Sequence, residues 1–323
     1  MYTLKDTGDI SSLISKPQRT KPEQLIIRPP SEWKSLLVRV TRGCNWNHCL
    51  FCGIYPHLGQ NDFSIRSVED IKKDIDLLRD LHPRAETAFC GDADPLEIGV
   101  DAFSSIARYI RQVFPNITTL TCYSRALTLW KIGREGIHRL AEAGLNRVHI
   151  GLESGNPQVL RFHRKGQTPR IIRETGLWLK DAGVEVSYYV LLGIGGSEWW
   201  KKHIDDTAEL INTVNPEFVR LRRLWLYGGD SKSNEPGCPL WEKIRSGEFL
   251  SQSPEGTVME LKRLLEKLHD ISSFITCDHS NNYINVTGRM MEDKTEMIEE
   301  IDQFLSLPEE ARETVYRSVG SQI

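Results

Sequence analysis

The chain has little that would place it in a membrane, on nucleic acid or outside the cell. No run approaches the roughly eighteen apolar residues that a spanning helix requires. Met1 to Lys16 are polar, carry Asp6 and Asp9, and lack the apolar centre of a signal peptide. Neither sign of charge dominates: 41 Lys and Arg stand against 44 Asp and Glu, a formal net charge of −3. Such a balance gives no global electrostatic case for nucleic acid. Cysteine is scarce and odd in number, at seven. That argues against a secreted disulfide framework and for a reducing, cytoplasmic setting. There is no internal repeat and no low-complexity segment. What remains is a chain of 323 residues, 39% hydrophobic, enough for one large α/β domain with appendages.

Three of the cysteines fall together in Thr41-Arg42-Gly43-Cys44-Asn45-Trp46-Asn47-His48-Cys49-Leu50-Phe51-Cys52. A loop with this spacing can turn several thiolates toward one centre. Thiolates are soft ligands that suit zinc, copper(I) or iron–sulfur clusters. A closed zinc site wants four ligands, and His48, adjacent to Cys49, is awkwardly placed to be the fourth. A cubane [4Fe-4S] cluster also normally takes four cysteines. With three, one iron is left open to a small ligand, which makes a reaction centre.

The rest of the chain alternates strand and helix. Leu36–Val40 is apolar and rich in branched residues, a first buried strand from whose end the cysteine loop leaves. Ser67 caps a helix predicted to run to about Leu81. Further strands are predicted at Glu86–Cys90, Thr118–Tyr123, Arg147–Gly151, Val184–Leu192 and Phe218–Leu226. Helices between them fall near Ala102–Val113, Trp130–Ala143, Pro169–Ala182 and Glu198–Val214. This periodicity implies right-handed parallel crossovers, in a doubly wound sheet or a barrel. Polar or glycine-rich signals follow nearly every strand, as the working ends of barrel strands do.

The cysteine loop after a first strand, with an aromatic before its third cysteine, resembles the radical SAM superfamily. The spacing differs by one residue from the most common pattern of that superfamily, with four residues rather than three between Cys44 and Cys49. With Arg28-Pro29-Pro30-Ser31-Glu32 and the C-terminal tail, the chain is similar over nearly its whole length to a poorly characterised group sharing the Cys-x4-Cys-x2-Cys loop. The resemblance selects among the parallel α/β folds a partial (β/α)6 TIM-like barrel over residues 35–227. An N-terminal arm, 1–34, would precede it, and a mostly helical extension or lid, 228–323, would follow. It implies a [4Fe-4S] cluster on Cys44, Cys49 and Cys52 whose open iron chelates S-adenosylmethionine (SAM). Reductive cleavage would yield a 5'-deoxyadenosyl radical that abstracts hydrogen from an unidentified small molecule. The electron would come from a donor such as flavodoxin or ferredoxin.

The same resemblance suggests cofactor contacts at the strand ends. Gly91 and Asp92, in Cys90-Gly91-Asp92-Ala93-Asp94-Pro95, would meet the SAM ammonium, which offers only donors; Asp94 is the second choice. Ser124 or Arg125 would meet its carboxylate. Glu153 and Ser154, in Gly151-Leu152-Glu153-Ser154-Gly155, would bind the ribose hydroxyls. Gly193 and Gly195 would let backbone approach the adenine, with Phe51 and Tyr55 beside it. Arg220 and Arg222 share one face of the sixth strand. Inside the barrel they would need anionic partners; outside they would be solvent residues. The segment Thr276–Val286 is either a lid contributing His279, Asn282 or Tyr283, or a connector. Against the enzyme stands a zinc-stabilised RNA- or protein-binding module, and within the enzyme class a tRNA-modifying role. The residues themselves leave the substrate open.

Overall fold

Two kinds of side chain alternate along the central strands, and the alternation decides which way each strand faces. The computed structural model describes residues 26–59, 62–228 and 237–319. Most of the expected arm and most of the loop after Tyr227 lie outside these residues. A 3-10 turn at Pro30–Glu32 leads into β1 (Leu36–Arg39) and β2 (Thr41–Arg42), followed by α1 (Ile54–His57), β3 (Ser64–Ile65), α2 (Val68–Leu81), β4 (Thr87–Gly91), α3 (Val100–Val113) and β5 (Thr119–Ser124). Then come α4 (Ala126–Glu142), β6 (Arg147–Glu153), α5 (Pro157–Phe162), α6 (Pro169–Asp181), β7 (Glu185–Leu192), α7 (Gly196–Val214) and β8 (Phe218–Arg223). The last third adds α8 (Leu240–Arg245), α9 (Pro254–Lys267), β9 (Phe274–Cys277), β10 (Val286–Arg289), α10 (Lys294–Leu305) and α11 (Glu309–Ser318).

Eight strands form one sheet in the order β1-β4-β5-β6-β7-β8-β9-β10. All neighbours are parallel except β9 and β10. The architecture is the open parallel barrel that the resemblance implied. The sheet nonetheless runs further than the sequence pattern indicates. Part of the polar segment between the C-terminal helices is two four-residue strands, and β9 docks parallel to β8 with Phe218 opposite Phe274. Strands this short carry too few residues for their period to stand out.

Boundaries also move. Helix α4 starts at Ala126, directly after β5, with a break at Gly133 (φ 74°) that hides its first turns from a periodicity count. Helix α5 is short and rests on its cap, Asn156 Oδ1 accepting from the N–H groups of Gln158 and Val159 at 2.9 and 3.0 Å.

Leu120, Val148, Ile150, Val186, Val190, Val219 and Leu221 face outward into the helix layer and are fully buried. Each contributes about 1.5–3 kcal/mol by leaving water. Cys90 and Cys122 belong to this layer, and burial pushes the Cys90 thiol up to about 12. They act as small apolar residues. The intervening positions face inward and are aromatic or polar: Phe89, Tyr123, His149, Tyr189 and Arg220. Phe89 meets Tyr123 edge-on at 5.1 Å, and Tyr123 meets His149 at 5.9 Å. Arg220 and Arg222 thus belong to the interior. Arg220 is 5% exposed, stacks over Phe218 and donates from Nε to Ser187 Oγ at 3.1 Å.

The lower mouth of this polar interior is closed by Glu32. Its buried carboxylate accepts from Ser35 Oγ at 2.6 Å and from His149 Nε2 at 3.0 Å, and lies 3.8 Å from the Arg147 guanidinium. Burial raises the Glu32 carboxyl, but the hydrogen bonds from His149 and Ser35 and the charge of Arg147 outweigh it, and the net shift is downward. Removing a buried acceptor costs more than the bonds it made, because the donors stay buried. Glu32→Ala should therefore lower unfolding stability by about 3 kcal/mol, and Glu32→Gln by roughly half of that, in urea titrations. A loss below about 1 kcal/mol for the alanine variant would mean that this contact does not hold the mouth closed.

Candidate active site

The cysteine loop leaves the top of β1 and is held from three sides. Strand β2 pairs antiparallel with β3, Thr41 opposite Ile65, across the base of the loop. Trp46 Nε1 donates to the Arg164 carbonyl at 2.7 Å, and Arg125 stacks over the Trp46 ring at 4.9 Å. The Leu50 N–H donates to the His163 carbonyl at 3.0 Å, while the Leu50 carbonyl accepts from Leu240 N–H at 2.8 Å. Leu50 packs with Cys238, Leu240 and Phe249 in a small apolar cluster. The loop is therefore clasped between the α5–α6 connection and α8.

Cys44, Cys49 and Cys52 all line one cavity of about 370 Å³ at the C-terminal ends of the strands. Burial pushes the Cys49 thiol up and the Cys52 thiol to about 12. Such thiols carry charge only against a strong positive centre. Among the described residues no three potential ligands converge on one point as a single-ion site requires. A cubane makes a different demand, since each of its cysteines binds a different iron. Three soft thiols on one cavity wall, with Lys165 and Arg125 facing them, fit such a cluster in both donor type and charge balance.

Across the cavity stands Glu153, at the end of β6 in a left-handed conformation (φ 59°) where the β6–β7 register shifts. Its Oε1 accepts from Lys165 Nζ at 2.7 Å, and both groups are nearly buried. Burial lowers the Lys165 ammonium, but the Glu153 carboxylate and Cys49 more than offset it, and the net direction is up. Gly151 leaves the room for this pair, because a Cβ there would lie 2.7 Å from Lys165 Nζ and collide with Glu153 Oε1.

Of the expected cofactor contacts, Phe51, Tyr55, Ser124, Arg125 and Glu153 line the same cavity as the three cysteines. Gly91, Asp92, Ser154, Gly193 and Gly195 do not, and each has local work. Gly91 passes so close to the chain before β1 that a Cβ would sit 2.5 Å from Ile26 Cγ2. Asp92 is fully buried behind Tyr55, whose hydroxyl donates to it at 3.4 Å, with the Arg39 guanidinium 3.8 Å away. Asp94 accepts from Ser124 Oγ at 3.0 Å and Thr128 Oγ1 at 2.5 Å, and burial pushes its carboxyl up to about 7. Ser154 faces away from the cavity, hydrogen-bonded to His203 Nδ1 at 2.8 Å. The Gly193 N–H donates to Glu260 Oε2 on α9 at 2.6 Å. The glycine-rich turn is thus braced by the C-terminal region.

The cavity wall also holds Tyr123, His149, Lys165, Tyr189, Arg222 and His279. Arg222 and His279 are residues for which the sequence left the choice open. The inward alternation of Tyr123, His149 and Tyr189 was the available signal for three others. Lys165 lies in a loop and gave none.

A buried ion pair, three soft thiols and polar strand ends around one cavity on an open parallel barrel define a cofactor-dependent enzyme. Residues 38–211, more than half of the chain, match the Radical SAM superfamily, and the chain belongs to that superfamily. Its cofactors are accordingly a [4Fe-4S] cluster and SAM. A tRNA uridine(34) acetyltransferase of Methanocaldococcus jannaschii is 31% identical over 88 residues, 27% of this chain and 15% of that protein. An uncharacterized methyltransferase of Pyrococcus horikoshii is 22% identical over 214 residues, 66% of this chain and 43% of that protein. The chain thus spans less than half the length of these curated relatives. Among solved structures, coproporphyrinogen III oxidase of Escherichia coli, described as a radical SAM enzyme, superposes with a TM-score of 0.53 at 16% identity, covering 72% of this chain and 51% of that one. Elp3 of Methanocaldococcus infernus superposes with a TM-score of 0.50 at 14% identity, over 85% and 64% of the two chains. Both share the fold.

Glu260 gives this region a pH dependence. Burial raises its carboxyl from 4.5 to about 7 against hydrogen bonds from Gly193 and Gln252. The folded protein therefore holds this proton more tightly than the unfolded chain. The associated stability is complete below about pH 4.5 and is lost as the pH rises through about 7, a change of about 3 kcal/mol. Glu260→Gln should flatten that decline in urea unfolding measured from pH 4.5 to 7.5. An unchanged slope would show that Glu260 ionises normally in the fold.

Proposed function

We propose that the protein catalyses a radical reaction on a small molecule, with Cys44, Cys49 and Cys52 holding the cluster and the facing strand ends holding SAM. The observation that carries this is the shared cavity: the three thiols line the same space as the Glu153–Lys165 pair. When bound, the cluster and SAM supply an electron and a 5'-deoxyadenosyl radical that abstracts hydrogen from substrate.

The chain's own residues do the rest. Lys165 and Arg125 would offset the negative charge of three thiolates. The second oxygen of Glu153 would accept from a ribose hydroxyl, as acidic residues do in nucleotide sites. Phe51 and Tyr55 would flank the adenine. Ser124 and Arg125 would meet the SAM carboxylate; Ser124 also donates to Asp94, and Arg125 to the carbonyls of Lys165 and Gly166. Asp92 would act behind Tyr55, and Gly91, Ser154, Gly193 and Gly195 would shape the wall rather than touch the cofactor. A reductant such as flavodoxin or ferredoxin would deliver the electron. The chain from residue 228 onward would act as an extension or lid that braces the glycine-rich turn and lends His279 and Asn281 to the cavity. No helix among the described residues is long and apolar enough to cross a membrane. A second reading, a tRNA-modifying enzyme, draws on the 88-residue similarity to the tRNA uridine(34) acetyltransferase.

Anaerobic reconstitution should give about four irons per chain and, with SAM and dithionite, 5'-deoxyadenosine. Cys49→Ala should lose both. Zinc without iron, or a cluster that cleaves no SAM under any reductant, would sink the reading. In the intact enzyme Glu153→Gln should weaken SAM binding on the order of tenfold in equilibrium dialysis, since a charge-assisted bond becomes a neutral one. Unchanged affinity would remove Glu153 from the SAM contacts.

A further inference from the structure

The radical reading uses the cysteine side of the cavity and leaves its floor without a role. That floor is made by Tyr123 and Tyr189, with His149 beside both rings at 5.9 and 6.2 Å. His149 is fully buried, and its Nε2 is committed to Glu32 at 3.0 Å. A carboxylate only accepts, so Nε2 carries the proton and Nδ1 is a bare acceptor. Nδ1 has no hydrogen-bond partner among the described residues, and neither has the buried hydroxyl of Tyr189. Buried polar atoms in that state call for an explanation. Arg222 supplies a third feature. Its guanidinium lies 5.6 Å from the centre of the Tyr189 ring and lines the cavity. Its side chain is only 11% exposed, while the carboxylate it meets, Asp278 at 3.4 Å, is 54% exposed. Its other bond goes to the Leu221 carbonyl at 3.2 Å. A guanidinium has five N–H donors, so it retains capacity for an anion in the cavity.

We propose that this floor is the substrate subsite and that it takes a small amino or hydroxy acid, its carboxylate on Arg222 and accepting from the Tyr189 hydroxyl, and its amine or hydroxyl donating to His149 Nδ1. The proposal rests on the radical reading for what happens to the acid, but not for its binding. The carboxylate follows from the Arg222 guanidinium, which is already shared with Asp278 and so matches one negative charge better than the two of a phosphate; the neighbouring Arg223 on the same wall already donates to the Asn281 carbonyl and the Tyr283 hydroxyl. The second group must be a donor because His149 presents a lone pair. The body between them is apolar because it lies across the Tyr189 ring.

Isothermal titration of the reconstituted protein, under anaerobic conditions with SAM present, tests this. The probes are the proteinogenic L-amino acids, the hydroxy acids bearing the same side chains, and the decarboxylated amines. At least one acid should bind, and its decarboxylated amine on the order of tenfold or more weakly. Arg222→Gln should weaken that acid by a similar factor and leave the amine unmoved, Arg222→Lys should restore part of the difference, and Tyr189→Phe should cost a severalfold loss. Unfolding curves of the variants establish that they fold, and Tyr189→Phe decides if the arginine variants do not. The proposal is overturned if no acid binds, if acids and amines bind alike, or if folded Arg222→Gln binds the acid normally. It is also overturned if a tRNA transcript stimulates deoxyadenosine formation and the acids do not. Acid binding without Cys49-dependent deoxyadenosine would instead sink the radical reading and keep the subsite. Cys49-dependent deoxyadenosine with no acid binding would sink the subsite alone.

Discussion

The contact between Glu32 and His149 is the one on which the interior of this barrel depends. A parallel sheet that curls into an open barrel has two faces to satisfy, and only the outer one can be filled by branched apolar residues from the helices. The inner face here carries a histidine, two arginines and several tyrosines. An ionised carboxylate brought in from below by the Pro30–Glu32 turn gives His149 an acceptor and Arg147 a counter-charge. It also fixes which histidine nitrogen carries the proton. Without it, His149 would be buried with both nitrogens unmatched, and Arg147 would face the interior with Glu185 as its remaining partner. Packing and chemistry are thus joined at one residue, remote in sequence from every strand it serves.

The upper end of the barrel is organised by a different kind of constraint. The cysteine loop has little regular structure of its own, so its shape is borrowed from what surrounds it. Backbone bonds to His163 and Leu240 and the Trp46–Arg125 stack tie it to segments far away in sequence. The Glu153–Lys165 pair sits where two elements meet at a bulge. A bulge there re-aims a side chain that would otherwise continue the strand's alternation. The C-terminal region closes the arrangement by extending the sheet with β9 and β10 and bracing the Gly193 turn through Glu260. It is part of the architecture of the cavity rather than an addition beside it.

How much of this could be seen beforehand follows from the range of each interaction. The cysteine loop was legible because its chemistry lies within nine residues. The strand bodies were legible because a buried parallel strand announces itself by composition. Strand ends were harder, since Leu152 and Glu153 continue β6 past the glycine where the pattern seems to stop. The resemblance directs Ser154 and Gly193 toward the cofactor. Their partners, His203 and Glu260, lie 49 and 67 residues further on and carry no local signal. Asp92 was expected to meet a ligand, whereas Tyr55, only a few residues beyond the third cysteine, stands between it and the cavity. Lys165 and the two C-terminal strands were invisible for the same reason: their meaning is entirely tertiary. Arg220 and Arg222 show the limit from the other side. The period placed them on one face, but only the register against β7 says that the face is inward.

The two halves of the cavity therefore pose different problems to a ligand. Near the cysteines the wall is cationic and suits a charged cofactor complex. At the floor it is aromatic, with the Arg222 and Arg223 guanidinium groups at its rim, and His149 Nδ1 and the Tyr189 hydroxyl have no partner among the described residues. A wall of that second kind discriminates strongly. A molecule that fails to satisfy such groups leaves them buried and unpaired, and sites built to hydrogen-bond their substrate reject analogues that cannot do so far better than apolar pockets reject a missing methylene. A reactive radical also needs a target held still, because proximity and orientation decide which hydrogen it takes. A floor whose tautomer is set by Glu32 from outside the cavity provides a fixed reference for that orientation. On the proposed reading, the selectivity of the chemistry would then depend on a carboxylate that no substrate touches.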